Sequence, residues 1–364
     1  MNKDNYCIIM AGGIGSRFWP LSKTSRPKQF IDILGTGETM IQTTFARFEK
    51  ICPRENIFIV TSSIYADLVN EQIPNLNPNQ IIAEPTRRNT APCIAYANFK
   101  IAQMNPKANI IVTPSDHFIV NEEKFIETIQ LGLRASREKD ALITLGIKPT
   151  YPNTGYGYIQ YKTNEYLHNY SDQINKVKIF TEKPNYEMAV QFIASGDFLW
   201  NSGMFIWSLD SINNAMKTYL NDVYSIFEGI KVHLNTPKEE AIIKNAYSSC
   251  PSISIDYGVM EKAENVYVIP SDFGWSDVGT WGAIYEVRDK DLRENSVIGK
   301  NIILYDTEKC VINNSSNKLM VLQGLEDFIL VNTDDVLMIC KKDQEQRIKQ
   351  FVTDVEVEKG NDYL

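Results

Sequence analysis

The hydrophobic positions in the first half of the chain alternate between two patterns. Short apolar runs rich in Ile and Val are typical of strands buried on both faces, and they occur at 6–10, 56–61, 80–83, 109–113 and 141–146. Between them, apolar residues recur at helical spacing over 40–51, 90–104 and 122–137. Regular alternation of strands and helices predicts an α/β fold with a mostly parallel, Rossmann-like sheet and helices on both faces. Ligands bind such sheets at the carboxyl ends of the strands, so we expect functional residues there.

The middle of the chain, from about residue 151 to 287, has a mixed pattern. Alternating polar and apolar positions predict strands at 156–161, 176–180, 204–208 and 266–270, and helical spacing predicts helices at 186–195 and 211–229. We interpret this region as a continuing part of the same domain, which closes over the sheet. The first domain is therefore expected to span residues 1–290.

The pattern changes again after residue 295. Short β-type runs separated by turn residues occur at 297–305, 311–313, 319–323, 328–332 and 336–340, and a charged helical tail follows over 343–351. No strict sequence repeat with a clear period accompanies these runs. The pattern predicts a small all-β domain over residues 291–364.

The composition narrows the class of protein. The chain of 364 residues is longer than one hydrophobic core usually supports, and 43% hydrophobic and 23% charged residues are ordinary for a folded globular protein. A net charge of −8 without any basic run argues against a nucleic-acid binder, which needs a cationic surface. No apolar stretch is long enough for a membrane span, and the polar start of the chain does not resemble a signal peptide. We therefore expect a cytoplasmic protein.

The cysteines and histidines limit the available chemistry further. The 6 cysteines are scattered and none forms a C-x-x-C pair, so reduced thiols are expected rather than disulfides or a zinc ribbon. Only 3 histidines are present, at His117, His168 and His233. A mechanism that depends on imidazole for acid–base chemistry or metal binding has few candidates here.

The most distinctive segment follows the first predicted strand. It reads Ala11, Gly12, Gly13, Ile14, Gly15, Ser16 and Arg17, followed by Pro20 and then by Arg26, Pro27, Lys28 and Gln29. Glycines directly after a strand let backbone N–H groups approach an anion closely, and Arg17 and Lys28 would add positive charge on the same anion. The glycine spacing fits neither the dinucleotide fingerprint nor the P-loop. A tight strand-to-helix connection would explain the glycines alone, but the order of the Arg, Pro and Pro-Lys elements favours a triphosphate clamp.

A second polar segment follows the third predicted strand. It reads Glu84, Pro85, Thr86, Arg87, Arg88, Asn89, Thr90, Ala91 and Pro92. A strand exit that leads into a helix N-terminus is a natural place to recognise a base or a phosphate. A helix cap at Asn89 or Thr90 would explain part of the segment, but a cap does not need the preceding Glu-Pro or the two arginines.

Two aspartates are candidates for a metal site. Asp116 lies in a Pro-Ser-Asp-His segment at the end of an apolar strand, and Asp277 lies among small residues between two tryptophans. Hard cations such as Mg²⁺ prefer carboxylate oxygens. Taken alone, Ser-Asp after a strand is most often a turn. We interpret His117 as a structural neighbour of this site rather than as a base.

The glycine loop resembles the signature of the sugar-1-phosphate nucleotidyltransferases, G-G-x-G-x-R-(L/F)-x-P followed after a spacer by P-K. Trp19 and the ending from Pro27 to Phe30 are similar to the mannose-1-phosphate guanylyltransferase branch of that family. Phe18 stands where leucine is commoner, and both residues are apolar. Later motifs agree in order and identity, so the resemblance covers roughly residues 7–281.

This resemblance implies a fold and a set of site residues. It implies a nucleotidyltransferase fold for residues 1–290 and a left-handed β-helix-like fold for residues 291–364. Arg17 and Lys28 are implied to be catalytic cations, and Asp116 and Asp277 to hold a catalytic Mg²⁺. The implied nucleotide-binding residues, with guanine as the base, are Ala11, Gly12, Gly13, Gly15, Ser16, Glu84, Arg88, Asn89, Thr90 and Ser115.

Four further segments resemble the family's elements for the sugar phosphate, at 153–158, 181–184, 200–205 and 255–262. Each alone has an ordinary explanation, because a Glu-Lys pair usually lies on a solvated surface and a tryptophan usually packs in a core. Four such segments in the family's order argue against that explanation. The sugar-phosphate-binding residues that the resemblance implies are Gly155, Tyr156, Glu182, Lys183, Asn201, Asp256 and Lys262, of which Lys183 is also implied to be catalytic.

The implied reaction converts GTP and α-D-mannose 1-phosphate into GDP-mannose and diphosphate, by Mg²⁺-assisted in-line attack of the sugar phosphate on the α-phosphorus. The nucleophile is already an anion at neutral pH, so no general base is required, and this suits a chain with few histidines. The expected partners are GTP and mannose 1-phosphate, without nucleic acid or membrane. A homodimer is one expectation for the assembly, which the sequence leaves open.

Other functions remain as alternatives. A related enzyme would act on a different sugar 1-phosphate or a different base. A non-catalytic nucleotide-sugar sensor would tend to lose a loop cation or a metal carboxylate, yet Arg17, Lys28, Asp116, Lys183 and Asp277 are all present. A nicotinamide-dependent dehydrogenase is disfavoured by the glycine spacing. Some family members carry a fused phosphomannose isomerase domain, for which this chain has too little remaining sequence, so no isomerase activity is expected.

Overall fold

A computed structural model describes residues 1–13, 15–170 and 173–364, so Ile14 of the glycine loop lies outside the described residues. The chain forms two compact units. The first consists of Met1–Gly12, Phe45–Ser115 and Ile119–Trp275, and the second of Gly13–Thr44, Asp116–Phe118 and Ser276–Leu364. The expected domain boundary after residue 290 stays a prediction.

The strands up to residue 276 are mostly short and buried. They are β1 (Asn5–Met10), β2 (Ile57–Ser62), β3 (Ile81–Glu84), β4 (Asn109–Pro114), β5 (Phe118–Ile119), β6 (Leu142–Ile147), β7 (Gly157–Tyr166), β8 (Asn175–Glu182), β9 (Phe198–Ser208), β10 (Val266–Ser271) and β11 (Trp275–Ser276). The α-helices are α1 (Met40–Phe48), α2 (Ala66–Gln72), α3 (Thr90–Met104), α4 (Glu122–Glu138), α5 (Tyr186–Ser195), α6 (Leu209–Tyr219), α7 (Asn221–Ile230), α8 (Glu239–Ser249), α9 (Trp281–Val287) and α10 (Ile348–Lys359).

A nine-stranded mixed sheet forms the centre of the first unit, with the strand order β3-β2-β1-β4-β9-β6-β10-β8-β7. Strands β1 to β4 pair in parallel, and so do β6 and β10. Strand β9 runs antiparallel to both β4 and β6, and β7 and β8 add further antiparallel pairings. The predicted α/β class is confirmed, but the sheet is mixed rather than mostly parallel, because β7, β8 and β9 pair antiparallel with their neighbours. Its parallel pairs come from the apolar runs and β10, whereas β7, β8 and β9 come from the middle region of alternating pattern.

Burial follows the sequence pattern in most of the first unit. Strands β1 and β2 are buried on both faces, as expected for apolar runs in a parallel sheet. Helix α3 is buried over most of its length, since apolar or small residues occupy nearly all of its faces. These elements share one hydrophobic core with helices α6 and α7.

The single helix predicted over 211–229 is wrong, because the structure has two helices there. Leu220 separates α6 from α7, adopts φ −141° and ψ 46°, and is buried. Both helices bury an apolar face in the same core, so the apolar spacing continues across the break. Periodicity alone could not reveal the interruption.

The C-terminal strands of the second unit are short, and strands from successive coils of the chain pair with one another. They are β12 (Ser296–Gly299), β13 (Ile302–Tyr305), β14 (Val311–Asn314), β15 (Met320–Gln323), β16 (Phe328–Asn332) and β17 (Leu337–Lys341). Strands β12, β14 and β16 pair in parallel, as do β13 and β15, and β17 closes the stack antiparallel to β16. The parallel stacking confirms the expected β-helix-like form. The single run predicted over 297–305 is two strands, because Asn301 turns the chain at φ 57°.

The core of the second unit joins the glycine-loop segment to the C-terminal strands and helix. Phe18 packs edge-on against Trp281 with 5.3 Å between the ring centroids, and Val311 and Ile348 belong to the same buried cluster. The indole Nε1–H of Trp19 donates to the carbonyl of Tyr363 at 2.8 Å. The loop is thus held by residues from the far end of the chain. No helix among the described residues is long and apolar enough to cross a membrane.

Candidate active site

The glycine loop adopts a conformation that only glycine accommodates at residue 15. Gly15 has φ +68°, and a Cβ atom there would lie 2.5 Å from the Cβ of Lys28. Both the left-handed backbone and the close approach therefore require glycine. The turn leads directly into a short 3₁₀ helix, Ser16–Phe18, which carries Arg17. Within the described part of the chain, the buried Nε of Arg17 has no hydrogen-bond partner.

Lys28 connects the two aspartates that are predicted to bind a metal. Its side chain is 3% exposed, and its Nζ donates to Oδ2 of Asp116 at 3.0 Å, to the carbonyl of Asp116 at 3.1 Å and to the carbonyl of Asp277 at 2.7 Å. An ammonium has three protons, and each has an acceptor here. The structure therefore brings Lys28, Asp116 and Asp277 together, and Lys28 positions the two aspartates.

The charge of Lys28 also decides the ionisation of Asp116. Burial raises the pKa of Asp116, but the charges of Lys28 and His117 and the hydrogen bond from Lys28 outweigh burial and hold that pKa below its ordinary value. Asp116 is therefore a carboxylate at neutral pH. Its side chain is still about one-third exposed, at 32%, so it remains accessible from the pocket that it lines.

Asp277 is fixed by a strained turn. Val278 has φ +43°, a conformation that is costly for a β-branched residue, and its side chain is fully buried in the core of the second unit. The N–H of Gly279 donates to Oδ1 of Asp277 at 3.0 Å, and the N–H of Val278 donates to the hydroxyl of Ser276 at 3.1 Å. Packing and hydrogen bonds thus hold a backbone geometry that the chain would otherwise avoid.

These residues surround one pocket of about 310 Å³ in the second unit. It is lined by Gly15, Ser16, Arg17, Phe18, Lys28, Asp116, His117, Asp277, Gly279 and Lys349. Six of the residues predicted for the phosphates and the metal occur in this set, together with the cation Lys349, which the sequence reasoning missed. Lys349 lies in a charged helical tail whose pattern gives no sign of a site.

The pocket fits a divalent cation. Asp116 and Asp277 supply hard oxygen donors, and among residues 1–13, 15–170 and 173–364 no group of three or more His, Cys, Asp or Glu side chains could enclose a metal. Magnesium is commonly bound by one or two carboxylates and completes its coordination with water and phosphate oxygens. Two aspartates that line one pocket can meet that requirement.

In the first unit, the ends of neighbouring parallel strands hold the start of the glycine loop. The N–H of Ala11 donates to the carbonyl of Val60 at 2.8 Å, and the N–H of Ser115 donates to the carbonyl of Met10 at 3.0 Å. Gly12 lies beside the carboxylate of Glu84, whose Oε2 is 4.0 Å from the position that a Cβ of Gly12 would take. Predicted nucleotide residues thus meet at one edge of the sheet.

Glu84 is an unusual carboxyl group. It is 5% exposed and accepts a hydrogen bond from the hydroxyl of Tyr247 at 3.0 Å. Burial raises the pKa of Glu84 to about 7, although the Tyr247 hydrogen bond and the charge of Arg87 act in the opposite direction. A small change in pH near neutrality therefore changes the hydrogen-bonding character of this group.

The residues after Glu84 have structural partners in the same unit. Arg88 donates from Nε to the carbonyl of Tyr247 at 3.1 Å, and the hydroxyl of Thr90 accepts from the N–H of Ile255 at 2.9 Å. Asn89 caps α3, with its Oδ1 accepting from the N–H of Thr90 at 2.8 Å. Asn89 is thus the helix cap that the sequence allows at this position. The nucleotide-binding roles of Arg88, Asn89 and Thr90 stay predictions.

Three residues predicted for the sugar phosphate form one polar cluster. Asn201 donates from Nδ2 to Oδ1 of Asp256 at 2.8 Å. Burial, followed by the negative charge of Glu182, raises the pKa of Asp256 to about 6, against the hydrogen bond from Asn201. Asp256 begins a π-helical turn, Asp256–Met260, a form that is frequent at functional sites. The cluster offers several hydrogen-bond acceptors close together.

The other residues predicted to bind the sugar phosphate have different contacts in the same unit. Lys183 pairs with Glu182 at 2.6 Å and has φ +48°. The ring of Tyr156 packs edge-on against Trp200, at 5.1 Å between centroids, and the N–H of Gly155 donates to Asn153. Lys262 is exposed. Burial and the charge of Glu182 raise the pKa of the neighbouring Glu261, and the charge of Lys262 lowers it. These contacts leave the binding roles of the group as predictions.

A mixed α/β sheet, a glycine loop with a left-handed turn at Gly15 and two aspartates held together by Lys28 are features of a nucleotide-transferring enzyme. The chain belongs to the nucleotidyl transferase family, whose sequence model matches residues 6–294. The model of the MannoseP isomerase/GMP-like beta-helix domain matches residues 300–355. Both matches agree with the family and fold that the sequence predicted.

Similar proteins cover almost the whole chain. The alginate biosynthesis protein AlgA of Pseudomonas aeruginosa is 33% identical over 96% of this chain and 72% of its own length. The mannose-1-phosphate guanylyltransferase of Salmonella montevideo is 35% identical over 98% of this chain and 75% of its own length.

Solved structures give the same result for the fold. A Thermus thermophilus crystal structure, described as a mannose-1-phosphate geranyltransferase, superposes with a TM-score of 0.86 at 28% identity, and covers 97% of this chain and 99% of that chain. A Helicobacter pylori protein described as a mannose-6-phosphate isomerase has a TM-score of 0.61 at 23% identity, over 75% of this chain and 99% of that one. The second likeness concerns the fold alone.

Proposed function

We propose that this chain is a mannose-1-phosphate guanylyltransferase, which forms GDP-mannose and diphosphate from GTP and α-D-mannose 1-phosphate. The observation that carries the chemistry is the pocket in which Lys28 bridges Asp116 and Asp277 beside Arg17. The choice of substrates is supported by relatives named mannose-1-phosphate guanylyltransferase that align with nearly the whole chain.

The proposed reaction needs positioning and charge neutralisation rather than a base. An oxygen of the sugar phosphate bonds to the α-phosphorus of GTP, the bond to the bridging oxygen of the β-phosphate breaks, and that oxygen leaves on pyrophosphate. Because the nucleophile is an anion, the reaction requires no general base from the protein. Arg17 is assigned to the triphosphate, and Lys28 holds the two aspartates in place.

Magnesium is proposed as the metal, with Asp116 and Asp277 as its protein ligands. When bound there, it would neutralise negative charge on the phosphate oxygens as the leaving group departs. The ionised state of Asp116, which Lys28 secures, supports this assignment. The protein's own contribution is to keep both carboxylates oriented, through Lys28 and through the turn at Val278.

Base and sugar recognition are assigned to the first unit. Guanine presents two adjacent N–H donors on one edge, and the carboxylate of Glu84 can accept both when it is ionised. The sugar hydroxyls are assigned to Glu182, Asn201 and Asp256, whose acceptor atoms cluster. Lys183, adjacent to Glu182 in the chain, is assigned to the sugar phosphate.

A pyrophosphate-release assay over a matrix of substrates tests this proposal. The purified protein is incubated with Mg²⁺, with GTP, dTTP, UTP or ATP, and with mannose, glucose or galactose 1-phosphate. We expect efficient release with GTP and mannose 1-phosphate alone. Release only with another base or another sugar phosphate would overturn the substrate assignment, and no release with any pair would overturn the proposed activity.

The raised pKa of Glu84 predicts that GTP binding weakens in acid. Only ionised Glu84 accepts both guanine N–H groups, so the KM for GTP should rise as the pH falls below about 7, by up to about tenfold per pH unit. Removing the Tyr247 hydroxyl removes a hydrogen bond that lowers this pKa, so Tyr247→Phe should shift the rise to higher pH. The KM for GTP measured from about pH 5.5 to 8.5 checks both expectations.

Glu84→Gln is the matched control, because a glutamine does not titrate. The phosphates of both substrates also titrate in this range, and the ratio of wild-type to Glu84→Gln values cancels their contribution. If the KM for GTP varied with pH in the same way for the wild type and for Glu84→Gln, Glu84 would not be the group that binds the guanine N–H donors.

A further inference from the structure

The C-terminal helix α10 contributes a side chain to the phosphate pocket. Its first residue, Ile348, is fully buried in the core that also contains Phe18 and Trp281, and this fixes the start of the helix. The next residue, Lys349, lines the same pocket as Arg17 and Lys28. The helix also packs against the 3₁₀ helix that carries Arg17.

The three cations of the pocket differ in their partners. Lys28 is neutralised by Asp116 and satisfied by three acceptors. Across the described residues, Arg17 and Lys349 take part in no ion pair, and the buried Nε of Arg17 has no acceptor. The charge of Arg17 lies close enough to lower the pKa of Lys349, and burial adds to this effect. Two cations that belong to no ion pair among the described residues thus line one pocket, which Asp116 and Asp277 also line.

An anion bound in this pocket would offset the repulsion between Arg17 and Lys349. Like charges held together in a partly enclosed pocket repel each other, and the cost falls when a ligand brings the opposite charge. A polyphosphate carries several negative charges and many acceptor oxygens, so it can bind both cations at once. Arg17 offers a planar fork of donors, and Lys349 offers a mobile point charge on a flexible stem.

We propose that Lys349 is a substrate-binding residue, which together with Arg17 binds the β- and γ-phosphates of the nucleoside triphosphate and then the pyrophosphate that leaves. This assignment rests on the proposed function for the identity of the reaction. It also gives the C-terminal segment a direct part in the site. Ile348 packs in the core that contains Phe18, and the next residue, Lys349, brings a cation to the ligand.

Binding and kinetic measurements on Lys349→Ala test this assignment. Isothermal titration calorimetry with inorganic pyrophosphate, with and without Mg²⁺, should show about tenfold weaker binding for Lys349→Ala and about hundredfold weaker binding for Lys349→Glu. In turnover, the KM for GTP should rise by a similar factor while the KM for mannose 1-phosphate stays unchanged. Lys349→Arg should restore most of the affinity, because it keeps the charge.

Lys359→Ala on the same helix is the matched control, since Lys359 is exposed at the other end of α10 and lines no part of the pocket. It should bind pyrophosphate as the wild type does. Unchanged pyrophosphate affinity in Lys349→Ala and Lys349→Glu would overturn the assignment. So would a parallel rise in both KM values with a lowered Tm, which would indicate a structural role. The calorimetric result does not depend on which base or sugar the enzyme uses, so a failure of the proposed substrates would be recognised separately, in the wild-type assay.

Discussion

Asp277→Asn is expected to slow nucleotidyl transfer on the order of 10²-fold or more in the presence of Mg²⁺, while the protein stays folded. The amide removes the negative charge that a divalent cation requires. It keeps an oxygen that can accept from the N–H of Gly279, and Lys28 contacts the main-chain carbonyl of Asp277, which the substitution does not change. The loss should therefore appear in kcat and in the Mg²⁺ concentration needed for half-maximal rate, with little change in Tm.

Asp116→Asn provides a matched comparison, because it alone breaks the ion pair with the buried Lys28. Both variants should lose activity, but only Asp116→Asn should also lose several kcal/mol of stability, as expected when a buried charge loses its partner. Asp272→Asn serves as the control, since Asp272 is almost fully exposed, at 94%, and should behave as the wild type. If Asp277→Asn turned over at the wild-type rate with Mg²⁺, the metal assignment would be wrong.

The sequence predicted the elements that local pattern determines. Apolar runs fixed the parallel strands β1 to β4 to within a residue or two at either end, because strands buried on both faces need an uninterrupted apolar stretch. The position of the candidate residues followed from the same reasoning, since Ala11, Glu84 and Ser115 lie at or directly after the ends of strands at one edge of the sheet. In the glycine loop, Gly15 has a left-handed backbone, which glycine adopts without steric cost.

Long-range contacts could not be predicted in this way. The sequence assigned Lys28 to the triphosphate because of its place in the loop, whereas its three acceptors come from residues far along the chain. Nothing in the tail indicated that Lys349 would reach the same pocket. Both facts depend on how the glycine-loop segment packs with the C-terminal strands and helix in one core, and no local pattern encodes that pairing.

Lys28→Met should have the second of the two largest effects, a loss of activity on the order of 10²-fold or more together with a clear loss of stability. Methionine has a similar length and suits a side chain that is 3% exposed, so steric damage is limited. The variant leaves Asp116 without its counter-charge and the carbonyl of Asp277 without its donor. The free energy of unfolding should fall by about 3–5 kcal/mol, the usual cost of removing one partner of a buried ion pair.

A double-mutant cycle with Asp116→Asn separates the two consequences. In Lys28→Met/Asp116→Asn both charges are gone, so the double variant should be more stable than the sum of the single losses predicts, by a coupling energy of about 1–3 kcal/mol. Its activity should stay as low as that of the single variants, because the metal ligand is still missing. Lys28→Arg should not rescue the rate, since the Cβ of Lys28 lies against Gly15 and the buried space holds an ammonium with three defined acceptors rather than a planar guanidinium. Strictly additive stability losses, or a Lys28→Met variant with wild-type kcat, would show that Lys28 does not hold the two aspartates in their working positions.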